Sequence, residues 1–147
     1  MNNINLIDFI GKEVKYFDKD ELLFGRIEYP TLGRRENKEM GIAIDIFPDL
    51  TISRIVLYNN YLTFKQYPGT LPKELEFGLS KEQVKKLLGE GNCSNNYQID
   101  HDHDGYRSEL YFQENEKGVK ITYKRGSDSI SERIVGISLG YAETLYL

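Results

Sequence analysis

The stretch Leu71–Gly91, LPKELEFGLSKEQVKKLLGEG, carries more agreeing structural signals than any other part of the chain. Its centre reads as a short helix with both ends specified. Ser80 is placed to cap the N-terminus by accepting a hydrogen bond from the Gln83 N–H, while the Gln83 side chain can reach back to the Ser80 N–H, a reciprocal capping box. Leu79 before the cap and Val84 inside the helix make a hydrophobic staple. Val84, Leu87 and Leu88 recur at i, i+3 and i+4, so the spacing predicts one apolar stripe with Leu87 in the seam, and Lys81, Lys85 and Lys86 toward water. Gly89 and Gly91 stop the helix. A helix this short is marginal alone, so it must lie on something flat and apolar.

The pattern Leu71-Pro72…Leu75-x-Phe77-Gly78-Leu79-Ser80…Val84…Leu87-Leu88-Gly89, followed by hairpin strands, resembles three related groups. These are the outer-membrane-assembly lipoproteins, the β-lactamase inhibitory proteins, and small intracellular immunity proteins that neutralise polymorphic or contact-dependent bacterial toxins. The resemblance implies a helix-on-sheet unit and, for the last two groups, an inhibitory protein partner. In place of the proline that often follows the Leu-Gly-Glu ending, this chain has Gly91-Asn92.

A chain of 147 residues can bury roughly 70% of its unfolded surface in one domain and needs no metal or disulfide to fold. Eleven Tyr against seven Phe and no Trp favour sheet residues with one apolar and one wet end. The net charge of −4 argues against a nucleic-acid partner, which requires a basic field. No stretch has the length of a membrane span, and the N-terminus MNNINLIDFIGKE lacks the basic and apolar regions of a secretory signal. The single cysteine, Cys93, is not placed to carry a lipid. The expected location is therefore the cytoplasm, and of the three groups the immunity proteins fit best.

Taken in order, Ile4–Gly11 is a compressed version of the later helix, with Asn5 as cap and Gly11 as stop. Glu13–Phe17 and Leu22–Tyr29 read as strands, and Arg34–Glu39, with no apolar residue, as a solvated hairpin loop whose arginines lie at the surface. Ile42, Ile44 and Ile46 alternate as a half-buried strand, and Ile52–Tyr58 returns from it. Asn59-Asn60 turns into Tyr61–Phe64, and residues 67–70 form a linker. After the helix, Asn92–Asp104 reads as a polar loop, followed by strands at Tyr106–Gln113, Val119–Lys124 and Arg133–Leu139, and by a short strand or docked tail from Tyr141.

Three sequence matches recur in the same order at nearly one offset. Phe9-Ile10-Gly11 returns as Leu87-Leu88-Gly89 after 78 residues, Gly41-Ile42-x-Ile44 as Gly118-Val119-x-Ile121 after 77, and Arg54-Ile55-Val56 as Arg133-Ile134-Val135 after 79. The predicted fold is thus α+β, a single domain over 1–147 built as a tandem repeat of two short-helix-plus-antiparallel-sheet units, about 1–66 and 71–147. Each unit covers one sheet face with its helix and leaves the other free.

The loop Asp100–Gly105 concentrates ligand-type side chains. Asp100, Asp102, Asp104 and Gly105 match the first half of a D-x-D-x-D-G calcium loop, but Tyr111 stands where the closing Glu is required. Calcium binding through Asp100, Asp102 and Asp104 is one alternative function, and an envelope-assembly-like adaptor is another. His101-Asp102-His103-Asp104 lacks the last histidine of a metallohydrolase run, and Cys93 has no positioned base and orienting group. These gaps point to a non-enzymatic protein with neither cofactor nor metal. The leading expectation is an immunity protein that occludes a cognate toxin through Tyr97, Asp100, Asp102, Asp104, Tyr106, Glu109, Tyr111 and Tyr141. Tyrosines would anchor the interface, and the carboxylates would fill the basic cleft of a nuclease toxin.

Overall fold

Alternation decides the strands, and edge position decides where alternation fails. A computed structural model describes residues 6–15, 28–31, 33–89, 93–101, 106–112, 117–125 and 132–145, with side chains for all but 28–31, 93–101, 106–107, 112, 125 and 142–143. Among the described residues four strands precede the helix: β1 (Glu28–Thr31), β2 (Arg34–Asn37), β3 (Ile42–Ile46) and β4 (Ile52–Tyr58). Four follow it: β5 (Cys93–His101), β6 (Tyr106–Phe112), β7 (Lys117–Arg125) and β8 (Glu132–Tyr141). All join one antiparallel eight-stranded sheet in the order β1-β2-β3-β4-β8-β7-β6-β5. The chain is therefore α+β and mostly sheet. Two meanders meet where their last strands pair, from Arg54↔Gly140 to Tyr58↔Gly136.

One face of this sheet holds the core. Ile42, Ile44, Ile55 and Leu57 from the first meander and Val119, Ile121, Ile137 and Leu139 from the second are buried there, as a period of two requires. Over the second meander lies α1 (Lys81–Leu88). Its capping box forms as the sequence specifies, with Gln83 N donating to Ser80 Oγ at 3.2 Å and Ser80 N donating to Gln83 Oε1 at 2.8 Å. Gly89 ends the helix at φ 86°. Because the cap satisfies donors that would otherwise have only water, Ser80→Ala is expected to cost about 1 kcal/mol in urea denaturation. A loss several times larger would assign Ser80 a role beyond the cap.

The apolar stripe of α1 is narrower than its spacing predicts. Val84 and Leu88 are 0% and 4% exposed, but Leu87 is 41% exposed and does not sit in the seam. Leu71 and Leu75, from the chain just before the helix, join Val84 and Leu88 in the same core. Lys81 is not simply solvated either, since its Nζ lies 3.4 Å from the buried carboxylate of Glu109. On the same core face a 3₁₀ turn, Leu6–Phe9, lies against β8, with Leu6, Ile7, Phe9 and Ile10 buried. Gly11, at φ 89°, then donates its N–H to Ile52 O at 2.8 Å.

Several sequence-based expectations require correction. Arg34–Asn37 is strand β2, and Cys93–His101 of the expected polar loop is strand β5. Both lie at or next to a sheet edge, where charged side chains are tolerated. In the expected strand from Glu13, only Glu13 forms a bridge, to Thr51, before a helical turn at Val14–Lys15, while 16–17 fall outside the described residues. The expected 67–70 linker starts on Tyr67, which is buried in the core and donates its N–H to Tyr58 O at 2.9 Å.

Among the described residues the opposite face of the sheet is covered only at its ends. At one end α2 (Ala142–Leu145) folds back, burying Leu145 against the sheet. Glycines make room for it, since a Cβ at Gly140 would lie 2.8 Å from Ser53 O and 3.0 Å from Thr144 Oγ1. At the other end the loop after β4 turns over, so that Phe64 stacks on Tyr58 with ring centroids 3.8 Å apart. Between these two covers no described residue lies over the sheet.

Candidate functional site: the open face of the sheet

The open part of the face is a concavity of about 380 Å³ across β4, β8, β7 and β6. Its residues follow from register. One row across the sheet runs Val56, Ser138, Lys120, the next toward the aromatic loop runs Tyr58, Gly136, Thr122, Ser108, and the next toward α2 brings Arg54 beside Asp45. Arg34 from β2 reaches in from the side, and Tyr61 forms part of the rim. All these positions alternate with core residues along their strands, which is why they face away from the core.

Arg34 is held by three groups. Its Nε donates to Glu36 Oε2 at 2.8 Å, its Nη1 to Asp45 Oδ1 at 3.0 Å, and its Nη2 to the Tyr58 hydroxyl at 2.8 Å. Burial works against its charge, but the hydrogen bond to Glu36 and the fields of Tyr58 and Asp45 outweigh burial and hold Arg34 above the ordinary arginine range. Tyr58 is pushed up by its own burial, with Arg34 acting in the opposite direction. Asp45 also accepts from Arg54 Nε at 2.7 Å, so one carboxylate bridges two guanidiniums.

Lys120 is the exception. Its ammonium has no carboxylate partner among the described residues, and burial, reinforced by the charge of Arg54, pushes its pKa down. Nearby, Ser108 Oγ and Thr122 Oγ1 bond to one another at 2.9 Å, and one of the two hydroxyls must still have its hydrogen to give. Arg54 commits Nε to Asp45, and among the described residues its terminal nitrogens and the Ser138 hydroxyl have no partner. Asp45 and Glu36, the carboxylates beside the concavity among the described residues, are engaged by arginine. The concavity is therefore rich in donors and poor in acceptors, with cations that already carry a desolvation cost.

The residues expected to anchor a partner are placed differently. Glu109 and Tyr111 are 3% and 0% exposed on the core face, where Tyr111 donates its hydroxyl to Glu109 Oε2 at 3.0 Å beneath Lys81. They are interior groups and cannot serve as rim contacts, because the alternation of β6 turns them toward the helix. Tyr141 is half-buried, packs against the core and stacks on Phe47 at 6.2 Å. Tyr97 and Asp100 lie on the edge strand β5 and Tyr106 on β6, while Asp102 and Asp104 fall outside the described residues. Asp100 pairs with Arg107 and His101 with Tyr106, so Asp100 is a paired strand residue, while the middle of the expected calcium loop, 102–105, falls outside the described residues.

Sequence reasoning missed Arg34, Arg54, Lys120, Tyr58 and Tyr61. A signal was present, because Lys120 between Val119 and Ile121, and Arg54 before Ile55, put charges on the non-core side of central strands. What the sequence withheld was that β4 and β8 are neighbours, which alone brings the two cations into one hollow. No family model, curated protein or solved structure matches the chain. Among the described residues no helix is long and apolar enough to cross a membrane.

Proposed function

We propose that this chain is a non-enzymatic binding protein of the immunity type, which neutralises a bacterial toxin by seating it on the open face of the sheet. The observation that carries the reading is the concavity itself: many donors and few acceptors, cations already partly desolvated, and an aromatic rim at Tyr58 and Tyr61. Groups of this kind gain most when a partner of opposite charge arrives, and Tyr and Arg are the residues that most often dominate interface energetics. The sequence resemblance supplies the toxin context. In this reading the chain is a tandem pair of helix-plus-sheet units. In support, the matched triplets Arg54-Ile55-Val56 and Arg133-Ile134-Val135 fall on the two strands that pair at the centre, and Gly11 and Gly89 have φ of 89° and 86°.

The test is co-expression with toxin domains from adjacent reading frames. The chain should restore growth against one of them and form an isolable complex with it. Tyr61→Ala should weaken that complex by about tenfold or more, the loss of roughly 1.4 kcal/mol of contact. Replacing Lys85 and Lys86 together by Ala, on the far side of the molecule, should leave affinity unchanged. If no toxin domain is neutralised, the immunity reading falls; if only the helix double variant loses protection, the interface lies on the helix side.

A further inference from the structure

The charges on the open face do not balance. Among the described residues the concavity and its wall hold three cations, Arg34, Arg54 and Lys120, against two carboxylates, Asp45 and Glu36. One positive charge is uncompensated, although the chain as a whole carries −4. It resides on Lys120, since both carboxylates are committed to arginines. A half-buried ammonium facing a second cation is an unfavourable arrangement in the free protein. It becomes favourable once a counter-charge enters the same low-dielectric hollow.

We propose that the concavity is a receptor for one carboxylate of the partner protein, an Asp or Glu side chain or a C-terminus, clamped between Lys120 and the terminal nitrogens of Arg54. The inference rests on the open face being the partner surface. A monoanion balances the face, whereas a dianion such as a phosphate monoester would overshoot it. Ser138, directly opposite Lys120 in the β7–β8 register, and the Ser108–Thr122 pair supply hydroxyl donors for the second carboxylate oxygen. The surroundings favour a protein-borne group over a free anion. Tyr61 stands at the rim, and the adjoining Leu62 is 72% exposed with its backbone in the left-handed region at φ 56°. The left-handed backbone is a cost for a leucine, and its exposed side chain offers apolar area that a docked partner would bury.

The probe for the site is acetate, titrated into the whole chain at constant ionic strength with chloride as the balancing salt. Amide signals of Lys120, Thr122 and Ser138 should shift saturably, Lys120→Met should abolish the shift, and Lys120→Arg should keep it. With the toxin domain found by co-expression, Lys120→Met should weaken the complex at least about tenfold, and Lys120→Arg should restore it. One Asp→Asn or Glu→Gln change on the toxin should reproduce that loss and add nothing to Lys120→Met. The proposal is overturned if chloride shifts the same signals equally. It is also overturned if acetate binds through Lys120 while Lys120→Met holds the toxin as tightly as the parent, which would make the ligand a free anion. A parent chain that neutralises no toxin refutes the immunity reading separately, and the acetate titration still reports on the hollow.

Discussion

Leu88→Ala is expected to lower unfolding free energy by about 2–5 kcal/mol, and Leu87→Ala, one residue earlier, by about 0.5 kcal/mol or less. The two residues are chemically identical and belong to the same turn of α1, so helix propensity does not distinguish them. Burial does. Leu88 is 4% exposed in the main core with Val84, Leu71 and Leu75, and its removal leaves a void that the sheet beneath cannot collapse to fill. Leu87 is 41% exposed and loses few neighbours on truncation. Urea denaturation of the two variants side by side decides the matter. Equal midpoints would mean that α1 is rotated about its axis relative to the arrangement described.

Gly41→Ala is expected to cost about 3 kcal/mol, combining about 1–2 kcal/mol for a side chain at positive φ with a similar charge for overpacking. Gly41 sits at φ 66° between β2 and β3, and its carbonyl accepts from Tyr58 N at 2.8 Å. A Cβ there would strike the backbone of the overlying loop, at Lys65 O, and would lie 2.6 Å from Tyr67 N and 2.9 Å from Gln66 C. Backbone held by its own hydrogen bonds, Lys65 N to Lys38 O and Tyr67 N to Tyr58 O, both at 2.9 Å, cannot swing aside as a side chain would. The same loop carries Tyr61 and Phe64, so the substitution should also disturb the rim of the concavity. Gly78→Ala is the control. No atom lies within 4 Å of a Cβ there, so it should be neutral or stabilise by up to about 1 kcal/mol through the unfolded chain. If Gly41→Ala unfolds at the same midpoint as Gly78→Ala, the loop does not rest on Gly41.

The elements legible in the sequence are those whose signals are local. The capping box of Ser80 and Gln83, the stop at Gly89 and the alternation of Ile42, Ile44 and Ile46 each lie within a few residues of the structure they specify. β2 and β5 were illegible because RREN and CSNNYQIDH carry no apolar period, and only their neighbours in the sheet make them strands. Glu109 and Tyr111 illustrate a related limit. Their acidic and phenolic groups look like surface chemistry, yet in the interior they satisfy one another at 3.0 Å, and Lys81 comes within 3.4 Å of the same carboxylate. The candidate site was the least legible of all, since Arg54 and Lys120 are 66 positions apart in sequence and meet only across the β4–β8–β7 junction.

That junction also sets a timetable for synthesis. Arg54 pairs with Gly140 and Tyr58 with Gly136, so β4 must wait for residues made 86 and 78 positions later. At a ribosomal rate of about 5–20 residues per second, its free edge stays without its final neighbour for roughly 4–17 seconds. An apolar strand such as ISRIVLY, unpaired for that long, is a template for the wrong chain, and flanking or embedded charge is the usual safeguard. Arg54 is the single charge in β4. The residue that faces the hollow in the finished protein is thus also the one charge that the waiting strand itself carries.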